Sequence, residues 1–180
     1  MWEKVAEDFS EEHSVIIAKV DAEVNKAIAQ QHGVTGYPTI KFFPKGSATP
    51  VDYAGGRDEK SFVTYINEKA GTHRSVGGGL DAMGGTIEAL DSIISKFTGS
   101  NLALVTDDVK AVAGGLKDKY ADYYMKVLGK LVDNEGYVQK ELTRLEGLLK
   151  KGGLGRGKVD DLTSRVNILR KFGLTGKDEL

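Results

Sequence analysis

The strongest constraint on this chain is a change of hydrophobic period across a glycine-rich stretch. Gly71, Gly77, Gly78, Gly79, Gly84 and Gly85 stand among small and polar residues between positions 71 and 85. Ordering so many glycines costs much backbone entropy, which predicts a flexible linker. A phosphate-cradling loop would need a preceding strand and a following Lys-Ser/Thr pair, and neither is present. The 180 residues therefore read as two domains, 1–70 and 86–172, with a linker over 71–85 and a tail over 173–180.

Upstream of the glycines the pattern is α/β. Trp2, Val5, Ala6 and Phe9 share a helical face. The run Val15-Ile16-Ile17-Ala18-Lys19-Val20 is almost continuously apolar and β-branched, which predicts a strand covered on both sides. Residues 24–31 read as a short helix stopped by Gly33. Thr39-Ile40-Lys41-Phe42-Phe43 reads as a second strand ended by Pro44 and Gly46, and 49–54 as a third. Asp58 opens a last helix with Phe62, Tyr65 and Ile66 on one face. The order is helix, strand, helix, strand, strand, helix, with a hairpin near its end.

Downstream, every segment has helical spacing. The stripes are Ile87, Leu90, Ile94, Phe97; Leu102, Val105, Val109, Val112, Leu116; Tyr120, Tyr124, Val127, Leu131; Val138, Leu142, Leu145, Leu149; and Val159, Leu162, Val166, Leu169. Each repeats in steps of three and four and so has one face to bury. Five amphipathic helices over about 86 residues make a small all-α domain near the size at which one core suffices.

Composition narrows the chemistry. With 25 basic and 26 acidic side chains there is no electrostatic footprint for nucleic acid. No run of about 18 apolar residues occurs, so no membrane span is expected. The chain has no cysteine, hence no disulfide, thiolate nucleophile or thiolate metal site. His13, His32 and His73 lack ligand spacing, so neither a metal nor another cofactor is implied. Gly152 to Lys158 fits G-x-x-x-x-G-K, but Val159 replaces the required Ser or Thr and no strand precedes it. Tyr120, Tyr123 and Tyr124 read as core with one exposed ring; a peptide-binding patch is the alternative.

Four pieces of residues 1–70 resemble the second half of a thioredoxin-fold domain of the protein disulfide isomerase family. Ala18-Lys19-Val20-Asp21-Ala22 is similar to the family's third strand. Gly33-Val34-Thr35-Gly36-Tyr37-Pro38-Thr39-Ile40-Lys41-Phe42-Phe43 is similar to its cis-proline turn and fourth strand. Tyr53-Ala54-Gly55-Gly56-Arg57 resembles the end of the fifth strand and its loop, and 58–69 the last helix. The family's CxxC lies at the start of the helix inside which this chain begins, around Trp2. The resemblance thus implies an N-terminally truncated chain, missing the first two strands and the CxxC. The start, Met1-Trp2-Glu3-Lys4-Val5-Ala6-Glu7-Asp8, reads as an amphipathic helix and not as a signal peptide.

Lys177-Asp178-Glu179-Leu180 is the endoplasmic-reticulum retrieval tetrapeptide at the C-terminus, where its receptor reads it. The five helices before it resemble, by number and position, the C-terminal domain of D-type disulfide isomerases and of the non-catalytic Windbeutel-like chaperones. The expected fold class is therefore α+β/α, the C-terminal half of a thioredoxin fold followed by an all-α five-helix domain.

The resemblance also assigns roles. A family member of this kind forms and rearranges disulfides in secretory clients through a mixed disulfide. Gly36, Tyr37 and Pro38 would offer backbone groups to an extended client, with a cis peptide before the proline. Lys19 resembles the lysine that pairs with a buried glutamate on the second strand, so it is expected to lack a mate here and to snorkel or stay buried. Arg57 resembles the arginine that tunes the active-site cysteines; with none present it reads as a solvated loop residue. The expected partners are unfolded secretory polypeptides and the KDEL receptor, with homodimerisation through the helical domain open. The alternative function is a non-enzymatic escort that binds unfolded proteins by its helical domain. The expected compartment, for the full-length parent, is the endoplasmic-reticulum lumen. Without the second strand between them, the strands at 14–20 and 39–43 would present unpaired apolar edges. Residues 1–70 are accordingly expected to be weakly folded alone, and 86–172 to fold independently.

Overall fold

The computed structural model describes residues 1–173. The chain divides into two compact units, Met1–Gly79 and Leu80–Leu180, and the boundary falls inside the glycine-rich stretch.

The first unit contains α1 (Trp2–Asp8), α2 (Lys26–Gln31), β1 (Lys41–Phe42), β2 (Val51–Asp52) and α3 (Glu59–Ala70). Helices α1 and α3 pack together because their apolar faces meet. Val5 and Phe9 bury against Phe62, Val63 and Ile66, with Trp2, Val15, Ile17, Ile40 and Tyr53 around them. Aromatic edges complete the contact: the rings of Trp2 and Phe62 are 5.4 Å apart and nearly perpendicular, a favoured geometry. The start of α3 is set by Asp58, whose carboxylate accepts from the Ser61 N–H at 3.0 Å and the Ser61 hydroxyl at 2.6 Å. Such a cap contributes about 1 kcal/mol. The helix ends where Gly71 takes φ 66° and donates its N–H to Asn67, a left-handed position that glycine adopts without a Cβ penalty.

The predicted strand at 15–20 does not form. Among the described residues the sheet has two strands, β1 antiparallel to β2, in register Lys41 with Asp52 and Phe42 with Val51. A strand is stabilised by a neighbour's backbone groups, and none lies beside 15–20 in this sheet. Nor is that run covered on both sides. Val15 and Ile17 pack on the core, while Ile16 is 88% exposed and Val20 55%. The strands expected at 39–43 and 49–54 shorten to two residues each, with the Tyr53 N–H to Ile40 bond continuing the hairpin at 2.9 Å.

The glycine-rich stretch is not the free tether its composition suggests. Asn67 Oδ1 accepts from the Arg74 N–H at 3.0 Å and the Thr72 hydroxyl at 2.8 Å, and its amide donates to the Arg74 carbonyl at 2.7 Å. Within the second unit, the Asn167 amide donates to the carbonyls of Asp81 (2.8 Å) and Gly84 (3.0 Å). These bonds offset the entropy that the glycines lose on ordering.

The second unit is all-helical, as the five stripes predict: α4 (Glu88–Ile94), α5 (Leu102–Ala113), α6 (Lys119–Asp133), α7 (Tyr137–Lys151) and α8 (Arg156–Gly173). Its core runs through all five and includes Leu90, Ile94, Val109, Tyr124, Val127, Leu128, Leu145, Ile168 and Leu169, each fully buried. Asp118 caps α6 by accepting the Tyr120 N–H at 2.8 Å. Gly152 and Gly153, at φ 70° and 75°, turn the chain from α7 into α8. The G-x-x-x-x-G-K match is therefore a helix-to-helix turn. Its Lys158 lies in the first turn of α8, 3.6 Å from Asp161.

Candidate functional site

The turn after α2 places the first group of expected site residues. Gly33 takes φ 62°, and the chain passes through Gly36, Tyr37 and Pro38 into β1. The Tyr37–Pro38 peptide is cis. The Thr39 hydroxyl donates to the Gly36 carbonyl at 2.6 Å and closes the turn. Tyr37 points outward, 64% exposed. Pro38, Thr39 and Ile40 line an open hollow of about 240 Å³ together with Lys41, Asp52, Tyr53 and Arg57; Gly36 and Tyr37 are not part of its lining.

Local bonds set the rest of the lining. Lys41 and Asp52 face each other across the hairpin and form an ion pair. The Tyr53 hydroxyl donates to the Gly56 carbonyl at 2.7 Å, which folds residues 54–57 back beside the strand. A side chain at Gly55 would collide with the Tyr53 ring, so the loop follows the ring closely. Burial holds the Tyr53 phenol above its ordinary range, reinforced by the charge of Asp58. Arg57 is thereby brought to the hollow beside Pro38. The site offers backbone groups, one guanidinium and one ion pair.

Lys19 departs from expectation. It has a mate, Glu3 of α1, at 2.7 Å, and its side chain is 75% exposed. The hydrogen bond between them lowers the Glu3 pKa and raises that of Lys19. No residue of this pair lines the hollow. An ammonium that reaches solvent needs no buried partner, which removes the expected conflict. Lys177, Asp178, Glu179 and Leu180 lie outside the described residues.

The tyrosines of the second unit separate. Tyr124 is fully buried; its hydroxyl donates to the Asp91 carboxylate and accepts the Ile87 N–H at 3.2 Å. Lys171 approaches Asp91 to 3.1 Å. Tyr123 is 6% exposed, and Tyr120 is half-buried. Both line a shallow cleft of about 200 Å³ with Lys119, Asp122, Lys126, Asp161 and Arg165. The Arg165 guanidinium stacks 5.2 Å from the Tyr123 ring and pairs with Asp161 at 3.2 Å. The sequence singled out the three tyrosines with one ring expected to be exposed, but none of the three is exposed, and it gave no sign of the charged rim. Those side chains sit on the polar faces of α6 and α8, far apart in sequence, and nothing in one dimension links them. Among the described residues no group of three or more His, Asp or Glu side chains is placed to hold a metal ion, and no helix is long and apolar enough to cross a membrane.

Comparison with known proteins accounts for both units. Residues 1–68 match the family described as thioredoxin, and residues 85–172 match the C-terminal domain of endoplasmic reticulum protein ERp29. Protein disulfide-isomerase erp38 of Neurospora crassa is 56% identical over 178 residues, covering 95% of this chain and 48% of that protein. Protein disulfide-isomerase tigA of Aspergillus niger is 55% identical over 184 residues, covering 99% and 50%. Probable protein disulfide-isomerase A6 of Medicago sativa is 38% identical, covering 96% and 49%. The chain spans about half the length of these relatives. With thioredoxin-type residues followed by an ERp29-type helical domain, the chain belongs to the protein disulfide isomerase family.

Proposed function

We propose that this chain is the client-holding portion of a disulfide isomerase that forms and rearranges disulfides in secretory polypeptides. The observation that carries the reading is the cis Tyr37–Pro38 turn beside a hollow shared with Arg57, in a chain without cysteine. Gly36, Tyr37 and Pro38 present backbone groups and one exposed ring to an extended segment. Arg57 supplies a cation beside them. In the parent enzyme Arg57 would act on a thiolate, and Lys19 would serve proton movement; here Lys19 bonds Glu3 instead. The thiol exchange itself needs sulfur atoms this sequence does not contain.

The setting follows the family, whose ERp29-type domain and relatives point to the endoplasmic reticulum. Residues 177–180 would bring the protein to the KDEL receptor. A second reading, a non-catalytic escort, is favoured by the tyrosine cleft of the second unit, where two aromatic rings sit among three cations and two carboxylates. Homodimerisation through that unit belongs to the same reading, and sedimentation over a concentration series tests it.

A fluorescent, reduced and unfolded secretory peptide distinguishes the two. On titration into isotope-labelled chain, the client-holding reading expects shift changes at residues 36–41 and 57. Pro38→Ala and Tyr37→Ala should then weaken binding severalfold. Changes confined to residues 119–126 and 161–165 would replace it with the escort reading. Either way, insulin reduction by this chain should stay at background.

A further inference from the structure

We infer that the connection between the two units is a fastened strap, with Arg74 as its fastener on the first unit. Arg74 is an arginine in a run of glycine and small residues, yet it is 5% exposed. Its Nε donates to Glu12 at 2.7 Å and its Nη1 to the Gly78 carbonyl at 2.9 Å. One guanidinium thus holds both the segment after α1 and the far end of its own loop. The loop is tied a second time at Gly77, whose N–H donates to Asp8 at 3.1 Å. Its base is bound on three atoms by the Asn67 side chain.

A free linker of the 15 residues 71–85 would have an end-to-end distance of about 20 Å. That freedom is lost where the side chains of each unit bind the stretch, Asn67, Arg74 and Asp8 in the first and Asn167 in the second. Arg74 is suited to this because a planar guanidinium donates in two directions at once, which a lysine ammonium does not do in a fixed geometry.

Nitrogen-15 relaxation on the whole chain tests the inference. Order parameters near 0.85, as in rigid backbone, are expected over 72–78 and 81–85. Values below about 0.6 across the entire stretch would overturn it. In Arg74→Ala, mobility should rise over 72–78 and stay unchanged over 81–85; an unchanged profile would remove Arg74 from the role. Should Arg74→Ala unfold the first unit, Glu12→Ala with limited trypsin gives an independent reading. Cleavage after Arg74, relative to cleavage after Lys45 in the same unit, should accelerate roughly tenfold or more on loss of that charge-assisted bond. Equal acceleration at both sites would overturn the inference, since it would report unfolding of the unit and not release of a strap.

Discussion

At the scale of single residues, the most consequential polar groups are the two buried phenols of the helical unit. Burial is the main force raising the Tyr123 and Tyr124 pKa values above the usual tyrosine range, and for Tyr124 the hydrogen bond to Asp91 adds to it. A raised folded-state pKa favours the neutral form, so the associated stability is fully present below the unfolded value of about 10. It is lost as pH rises from there toward the folded values, because the unfolded chain releases protons first. The second unit should therefore unfold under alkali above pH ~10, with a steep pH slope. Tyr124→Phe should flatten that slope in denaturant titrations. At neutral pH the same variant should cost on the order of 1–3 kcal/mol, since it removes the phenol's bonds to Asp91 Oδ1 and to the Ile87 N–H, while Lys171 stays beside Oδ2. The Glu3–Lys19 pair is the opposite case. It lies in solvent, and Lys19→Ala should leave the denaturation midpoint unchanged within error. Sequence reasoning marked Lys19 as unusual for interrupting an apolar run. It could not supply Glu3 as the mate, because that depends on α1 lying beside residues 15–20.

At the scale of elements, helices were read far more accurately than strands. Five apolar stripes predicted α4 to α8, because a helix satisfies its backbone within itself and needs only one face buried. A strand requires a neighbour, and the run at 15–20 has none in the two-stranded sheet. Its exposed side leaves Ile16 and Val20 in water, together with Val24 and Ile28, a combination that favours association. Ile16→Lys should accordingly raise solubility in a concentration series without lowering the melting temperature; a lowered melt would mean that Ile16 is buried after all. The glycines show the same limit. Composition suggested mobility at Gly85, yet Gly85 sits at φ 78° with Ser164 against it, where any Cβ would collide. Gly85→Ala should destabilise the helical unit by roughly 1–3 kcal/mol through combined strain and overpacking, visible as a lower denaturant midpoint with an unchanged slope.

At the scale of the whole molecule, the two units differ in how much core they possess. Among the described residues, five buried side chains form the core of the first and sixteen that of the second. Apolar burial is the main stabilising term, so the helical unit should melt at higher temperature and in its own transition. Calorimetry of the whole chain should show two transitions, or one preceded by gradual loss of the first unit's signals. A single cooperative melt reporting from Phe62 and from Leu128 together would contradict this.

Hydrophobic period and helix stops were enough to read the five helices, and the four matched pieces of residues 1–70 together with the helical domain were enough to read the family. These are local properties, encoded within a few turns of chain and independent of what lies across space. The tertiary structure alone decided that Arg57 shares a hollow with Pro38, that Lys19 bonds Glu3, and that Arg74 and Asn167 fasten a stretch whose glycines suggested freedom. Each joins residues distant along the chain. The energy that selects them comes from burial and hydrogen-bond partners supplied by other elements, which no single segment carries.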